Sequence, residues 1–379
     1  MRPNANATLV ILAGNVAPET VLLGLSLRRR IEKGAERAGF GRILSAAEAQ
    51  APGSLLPGRD VLLPGSVVPG VPWLRSLRDM PLEPERLHAD GESAALLETA
   101  DPAAALRDLG QEDRLDRILR RHPFVPLPKP SGEGSRFAVS SPADLPKAQM
   151  WLLASLVKLE DGFLSRHVNR RISLAISRRL AATRVTPNDM TFVSVALGLA
   201  GAAFFLSARP ALEFAGALLF LAHSIVDGCD GELARLKFQE SRLGGVLDFW
   251  GDNVVHCAVF GAIAAGWSRV SGSAWPFALG AGAILGTLAS AGFVYFQTMA
   301  PGKTKEGPLF TSVAREPSRF SRLADALARR DFIYLVVILA AFGLVRWFLT
   351  LAAVGAPLFF LSLLAMARAS RASALRSPA

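Results

Sequence analysis

The chain has 379 residues, a hydrophobic share of 51% and a formal net charge of +10, with a mean hydropathy of +0.32. Its two cysteines, Cys229 and Cys257, exclude a disulfide framework and are expected to be inert buried thiols. The apolar residues concentrate after Met190, which excludes an ordinary soluble protein for the second half. The basic residues cluster beside those apolar segments, which fits anionic lipid headgroups better than nucleic acid.

Met1–Leu12 lacks the basic start, apolar core and cleavage site of a secretory signal. Thr8–Ala13 (TLVILA) is expected as a buried strand and Glu19–Gly39 as a helix ending at Gly39. Arg42–Ser45 and Asp60–Pro64 are further short strands, and VLLPGSVVPG carries strand, turn and loop signals. Alternation of strands with helical stretches predicts a small α/β domain with a largely parallel sheet over residues 1–140. Phe124–Ser135 (FVPLPKPSGEGS) is expected as a loop or linker, and Phe137–Ser140 as a returning strand. The phrase VILAGN…GLSLRRRIEKGAERAGFGRI resembles the N-terminus of sugar-phosphate nucleotidyltransferases, where a Gly-rich loop with a following Arg and Lys cradles the nucleotide triphosphate. Here Ala13-Gly14-Asn15 runs straight into Val16-Ala17-Pro18, and Pro64-Gly65-Ser66 stand where an Asp pair for a metal would be sought. The resemblance with these departures implies a degenerate domain that packs, regulates or recruits.

Residues 141–185 are expected as a juxtamembrane segment. Within it Lys158–Leu180 can be wound as a basic amphipathic helix, with Leu164, Val168, Ile172, Leu174 and Ile176 apolar and Arg166, Arg170, Arg171, Arg178 and Arg179 charged. Such a helix lies in the headgroup plane, held by apolar burial and anionic lipid. Thr186-Pro187-Asn188 then ends it and starts the next helix, where Pro tolerates its missing N–H.

From there to residue 370 the pattern predicts six transmembrane helices: Met190–Ser207, Ala211–Val226, Val246–Trp267, Trp275–Met299, Phe332–Val345 and Trp347–Met366. The fifth is short, so Asp331 and Arg346 would snorkel to the two surfaces. Residues 300–331 hold Lys303, Lys305, Arg315, Arg319, Arg322, Arg329 and Arg330, and the second-to-third connection holds Arg235, Lys237 and Arg242. The opposite loops offer only Arg209, Arg269 and Arg346. The positive-inside rule then puts both termini in the cytoplasm, for a bacterial inner membrane protein.

Asp227, Asp230, Asp248 and Asp252 border two of these apolar segments. An ionised group at membrane depth costs roughly 2.5–3.5 kcal/mol on insertion scales, so it marks function by default. Asp227 and Asp230 are three apart, and Asp248 and Asp252 four apart, so each pair shares a helix face. The short 236–245 connection predicts that the two helices are antiparallel neighbours whose acidic faces converge into one cup. Gly244, on the stripe of Asp248 and Asp252, would let another helix backbone approach. Oxygen-only ligands select Mg²⁺, Mn²⁺ or Ca²⁺ over zinc, and two such ions can bridge phosphates in a displacement. Gly231 permits close approach to a ligand, and Arg235 supplies a positive fork for phosphate.

The spacing DxxDGxxAR, eight residues, GxxxDxxxD is complete in Asp227, Asp230, Gly231, Ala234, Arg235, Gly244, Asp248 and Asp252. It resembles the signature of the CDP-alcohol phosphotransferases, six-helix membrane enzymes, over about residues 185–370, and Thr186-Pro187-Asn188 resembles that family's usual lead into its first helix. The resemblance implies a CDP-linked donor, an alcohol acceptor, release of CMP and a Mg²⁺ or Mn²⁺ centre of two ions held by Asp227, Asp230, Asp248 and Asp252. It further implies that Asp230, Gly231, Ala234 and Arg235 line the cytidine diphosphate site and that Asp252 is the general base. Membrane lipid is an expected partner, a homodimer is left open, and nucleic acid is not expected.

CDP-diacylglycerol is the commoner donor in the family, in phospholipid biosynthesis. KLEDGFLSRHVNRRIS followed by TPN, behind a nucleotidyltransferase-like front, is also similar to the fused inositol-phosphate cytidylyltransferase/di-inositol-phosphate phosphate synthases, which implies a CDP-inositol donor and an inositol-phosphate acceptor. Arg315, Arg319, Arg329 and Arg330 either read an acceptor phosphate or only satisfy the positive-inside rule. A cation transporter is the rival of another class, against which the acids lie at the rim. A catalytically dead scaffold is the other, against which all eight motif residues are intact. His223, His256, Tyr295 and Tyr334 are expected as packing or interfacial residues.

Overall fold

The computed structural model describes residues 7–51, 54–55, 57–101, 113–127, 136–157, 165–299 and 332–376. The chain divides into two compact units, Met1–Leu156 with Ala181–Thr183, and Val157–Leu180 with Arg184–Ala379.

The first unit is built on β1 (Thr8–Leu12), β4 (Arg42–Ser45) and β5 (Gly58–Pro64), which pair in parallel with β1 in the middle. Between β1 and β4 lie β2 (Val21–Leu22), β3 (Leu25–Ser26) and helix α1 (Leu27–Ala38). After β4 come the single turn α2 (Ala46–Ala49), β5, β6 (Val67–Pro69) and α3 (Val71–Asp79). Then follow β7 (His88–Ala89), β8 (Ala95–Thr99), α4 (Leu115–Arg121), β9 (Val125–Pro126), β10 (Arg136–Ala138) and α5 (Leu145–Ala154). The main sheet runs β4-β1-β5-β8-β7-β9. It is parallel on the β4-β1-β5 side, whereas β8 pairs antiparallel with both β5 and β7. The largely parallel sheet expected from the sequence is therefore a mixed one, in which β8 runs antiparallel to both its neighbours.

The predicted helix Glu19–Gly39 begins eight residues late. Leu23 and Gly24 adopt positive φ, 48° and 82°, so residues 21–26 turn back as the β2–β3 hairpin. The buried Arg30 holds that turn by donating to the carbonyls of Leu22 and Leu23 at 2.7 and 3.3 Å. Ser26 then caps α1, and Gly39 ends it in the left-handed conformation, as predicted. Within the predicted linker, Val125–Pro126 form β9 and residues 128–135 lie outside those described. Phe137 does belong to a returning strand, but β10 pairs with β6 in a separate two-stranded sheet.

Asp60 sits inside β5 only 4% exposed, and burial pushes its carboxyl up to about 7. An unfolded Asp titrates near 3.9, so between about pH 4 and 7 the folded chain holds the extra proton. The contribution of Asp60 to stability is therefore expected to be fully present below about pH 4 and to fall as pH rises to about 7, by up to ~4 kcal/mol in total. Melting curves of wild type and Asp60→Asn across pH 4–8 check this. The gap between the two should widen in the variant's favour as pH rises, and a constant gap contradicts it.

In the second unit a π-helical turn, Ser165–Asn169, leads into α6 (Arg170–Leu180). Residues 158–164 of the predicted amphipathic helix lie outside the described residues. The bundle follows as α7 (Pro187–Phe205), α8 (Pro210–Lys237), α9 (Arg242–Ser271), α10 (Trp275–Thr298), α11 (Phe332–Ala341) and α12 (Val345–Arg376). Among the described residues five of these (α7, α8, α9, α10 and α12) are long and apolar enough to cross a bilayer. The predicted fifth crossing is represented by α11, whose ten residues rise only about 15 Å, half the hydrocarbon thickness. The chain is an integral membrane protein, with outward-facing apolar residues such as Leu285, Phe296 and Leu358 suited to lipid.

Thr186 starts α7 with a reciprocal cap: its Oγ1 accepts from the Asp189 amide at 3.3 Å, and Asp189 Oδ2 accepts from the Thr186 amide at 2.8 Å. Small residues then bring the helices close. A Cβ on Gly216 would lie 2.7 Å from the Gly201 carbonyl oxygen, so the backbones of α7 and α8 touch there. A Cβ on Gly198 would lie 2.5 Å from Val255, and one on Gly251 2.7 Å from Val195, which seats α9 on α7 as well. α11 packs on α8, and α10 on α9 and α12. Phe205, Phe220, Val255, Val259, Val336 and Leu349 fill the common core.

Candidate functional site

α8 and α9 were expected as close neighbours, but each packs chiefly against α7. Their backbones splay, and only their acidic side chains converge across the gap. Ligand oxygens of Asp227, Asp230 and Asp248 all lie within 4.8 Å of one another. Asp227 and Asp230 are buried, Asp248 half-buried. Oxygen donors alone at that separation suit a hard divalent cation, so the residues present fit the metal that the spacing implies.

Asp252 stands outside this trio. Its Oδ1 lies 3.5 Å from Nε2 of the buried His223. The other ring nitrogen, Nδ1, lies 2.9 Å from the Ser194 carbonyl and so carries a proton to donate. Phe220 stacks on the His223 ring at 5.9 Å. His223 thus occupies a packed position, as expected, and also faces Asp252. His256 packs edge-on against Phe220, and Tyr295 lies among Phe249, Trp250 and Phe296. Cys229 and Cys257 are both unbridged.

A cavity of about 160 Å³ is lined by two of the trio, Asp230 and Asp248. Asp230, Gly231, Ala234 and Arg235 of α8 line it together. From α9 come Gly244, Gly245 and Asp248. Gly244 lies in the first turn of α9, where a Cβ would meet Asn188 Oδ1 of α7 at 3.1 Å and Ser241 Oγ at 3.0 Å. The close neighbours are side chains at the cavity, so the missing side chain keeps the mouth open. Arg315, Arg319, Arg329 and Arg330 lie outside the described residues.

Several members of the site carry no mark in the eight-residue spacing. Thr191 Oγ1 donates to Asp230 Oδ2 at 2.6 Å, and the Gly231 amide donates to Asp230 Oδ1. These two bonds fix the carboxylate while each oxygen keeps a further lone pair for a cation. Pro187, Asn188 and Thr191 form one cavity wall, and Gln239, Glu240 and Ser241 of the α8–α9 link form its rim. Their signal in the sequence is polarity at the start of an apolar run. Glu232 is a further case, a fully buried carboxylate on α8. Its cost in an apolar helix is a signal of the same kind as the four aspartates.

Residues 184–315 match the family model described as CDP-alcohol phosphatidyltransferase. The chain is similar to the bifunctional IPC transferase and DIPP synthase of Thermococcus kodakarensis, 44% identical over 111 residues, 29% of this chain and 24% of that protein. The protein of the same description from Rubrobacter xylanophilus is 36% identical over 147 residues, 38% of this chain and 33% of the relative. The CDP-diacylglycerol–serine O-phosphatidyltransferase of Mycobacterium leprae is 37% identical over 78 residues, 21% of this chain and 25% of the relative. The chain thus spans between 24% and 33% of the length of these relatives. The matched segment contains the complete spacing from Asp227 to Asp252, its carboxylate trio and the residues that line its cavity.

Proposed function

We propose that the protein is a CDP-alcohol phosphotransferase that moves a phosphate-linked group from a CDP-alcohol to an acceptor alcohol and releases CMP. The observation that carries the reading is the meeting of Asp227, Asp230 and Asp248, two of which, Asp230 and Asp248, line a cavity with Gly231, Ala234 and Arg235. When bound, two Mg²⁺ or Mn²⁺ ions would neutralise the diphosphate and the departing CMP. The aspartates hold that charge in place, and Thr191 fixes the orientation of Asp230. Arg235 offers a planar fork to the diphosphate, and Gly231 leaves the backbone open to it. Asp252 takes the proton of the attacking hydroxyl as the bond to phosphorus forms, with His223 packed beside it.

CDP-diacylglycerol is the donor that the serine phosphatidyltransferase relatives support. A CDP-inositol donor with an inositol-phosphate acceptor is the second reading. It is supported by the higher identity to the Thermococcus bifunctional protein. The domain borders proposed are 1–140, 141–185 and 186–370. The fold reading is six crossings, the fifth over Phe332–Val345, and both termini in the cytoplasm of a bacterial cell. Arg315, Arg319, Arg329 and Arg330 would there face the headgroups or an acceptor phosphate, and a homodimer fits the same arrangement.

The front unit is read as a degenerate nucleotidyltransferase-like domain. A doubly wound sheet binds ligands at the carboxyl ends of its strands where the order reverses, here between β1 and β5. That crest is filled by the unit's own chain. The Gly65 amide donates to the Leu12 carbonyl at 2.9 Å, the Ala13 amide to the Asp113 carbonyl at 2.7 Å, and Arg114 to Asn15 Oδ1 at 2.7 Å. A Cβ on Gly14 would lie 2.5 Å from the Ser66 amide nitrogen. With CTP and inositol phosphate the full chain is expected to release no pyrophosphate, and release at a catalytic rate would contradict this reading.

The functional test is CMP release by the purified chain in detergent with Mg²⁺. CDP-diacylglycerol and CDP-inositol are each offered against a panel of alcohols and inositol phosphates. Release that depends on one donor–acceptor pair is expected. No release with any pair would leave the transporter or the dead scaffold standing.

A further inference from the structure

The back of the catalytic helix carries a charged group that the transfer reaction does not use. Glu232 is 0% exposed, yet it lies only two residues past Asp230. Among the described residues its hydrogen-bond donors come from one helix, α6. Ser173 Oγ donates to Oε1 at 2.7 Å, Ser177 Oγ to Oε2 at 2.7 Å, and Arg170 Nη1 to Oε1 at 2.9 Å. The buried stripe of α6 and its leading turn is Ser165, Asn169, Ser173 and Ser177, spaced by four. The amphipathic pattern predicts apolar residues on the face turned to lipid. Val168 and Ile172 are exposed, and the small polar stripe is turned inward. A second bond ties the same stripe to the bundle, Tyr334 of α11 donating to Asn169 Oδ1 at 2.6 Å.

Helical geometry makes this arrangement consequential. At 100° per residue, Glu232 stands about 170° around α8 from the midpoint of Asp227 and Asp230. The acids meet Asp248, and the carboxylate opposite them is held by three donors on a separate helix. Carboxylate oxygens lie about 6 Å from a helix axis, so a roll of about 10° moves them by about 1 Å. Misplacement on that scale can cost on the order of 10²-fold in rate. Packing of α7 against α8 at Gly201 and Gly216 fixes the distance between the helices. The bonds to Glu232 are directional and oppose rolling.

We propose that Glu232 is a positioning residue: clamped by Ser173, Ser177 and Arg170 of α6, it sets the roll of α8 that aims Asp227 and Asp230 at the divalent cations. The clamp rests on the phosphotransferase reading of the trio and goes beyond it, since none of its members touches the cavity. It also makes α6 part of the catalytic unit rather than a tether.

The test compares wild type, Glu232→Gln, the double variant Ser173→Ala with Ser177→Ala, and Ser173→Thr with Ser177→Ala, all as full chains in detergent. Mn²⁺ affinity is read by electron paramagnetic resonance without turnover, and kcat and donor KM by CMP release. Glu232→Gln and the double alanine variant should bind Mn²⁺ at least 10-fold more weakly. Their kcat should fall 10- to 100-fold, with donor KM within about 3-fold of wild type. Keeping one hydroxyl, through Ser173→Thr in the Ser177→Ala background, should recover most of the Mn²⁺ affinity. Wild-type Mn²⁺ affinity and kcat per folded molecule in both clamp variants would overturn the proposal. If Glu232→Gln does not fold, the serine variants decide by the same two outcomes. Failure of the phosphotransferase reading shows in the wild type, as absent CMP release, whereas failure of the clamp shows only in the variants.

Discussion

Asp248→Asn is expected to lower CMP release by at least 10²–10³-fold, the scale on which losing one preorganised electrostatic group is felt. The substitution keeps the shape of the side chain and removes its charge from a group of three carboxylates whose oxygens lie within 4.8 Å. Those like charges repel one another in the metal-free protein, so the melting temperature without metal should hold or rise. A thermal melt with and without Mn²⁺ reads this directly: wild type should gain stability with the ion, and Asp248→Asn should gain far less. A variant that keeps wild-type turnover would remove Asp248 from the site.

Asp252→Asn is expected to cost a comparable 10²–10⁴-fold in kcat, by a different route. Asp252 faces His223 at 3.5 Å and stands outside the trio. Its loss should therefore leave Mn²⁺ affinity much closer to wild type than the loss of Asp248 does. Equal losses of affinity in the two variants would make Asp252 a ligand in its own right. An Asp252→Asn enzyme as fast as wild type would remove the base altogether.

The chemistry was legible in the sequence because it is written in helical spacing. Three- and four-residue intervals put Asp227 with Asp230 and Asp248 with Asp252 on common faces, and that periodicity survives whatever the helices pack against. What was not legible depends on packing between elements distant in sequence. That α7 separates α8 from α9 follows from the backbone contact of Gly201 with Gly216, and no local pattern announces it. The bond from Thr191 to Asp230 spans 39 residues, and the bonds of α6 to Glu232 span 55 to 62. Hydrophobic periodicity marks the lipid-facing side of α6 and its leading turn, with Val168 and Ile172 exposed, but is silent on the small polar stripe of Ser173 and Ser177 turned inward. In the front unit the mixed sheet and the β2–β3 hairpin were missed for a local reason. Positive φ at Leu23, a residue that disfavours it, is imposed by the buried Arg30 rather than by its own propensity.

The most direct measurement is manganese anomalous scattering from crystals of the full chain grown with Mn²⁺ and CMP. The account predicts anomalous peaks within coordination distance of Asp227, Asp230 and Asp248, with the nucleotide against Gly231, Ala234 and Arg235. Active protein whose manganese lies elsewhere, or nowhere, would contradict it.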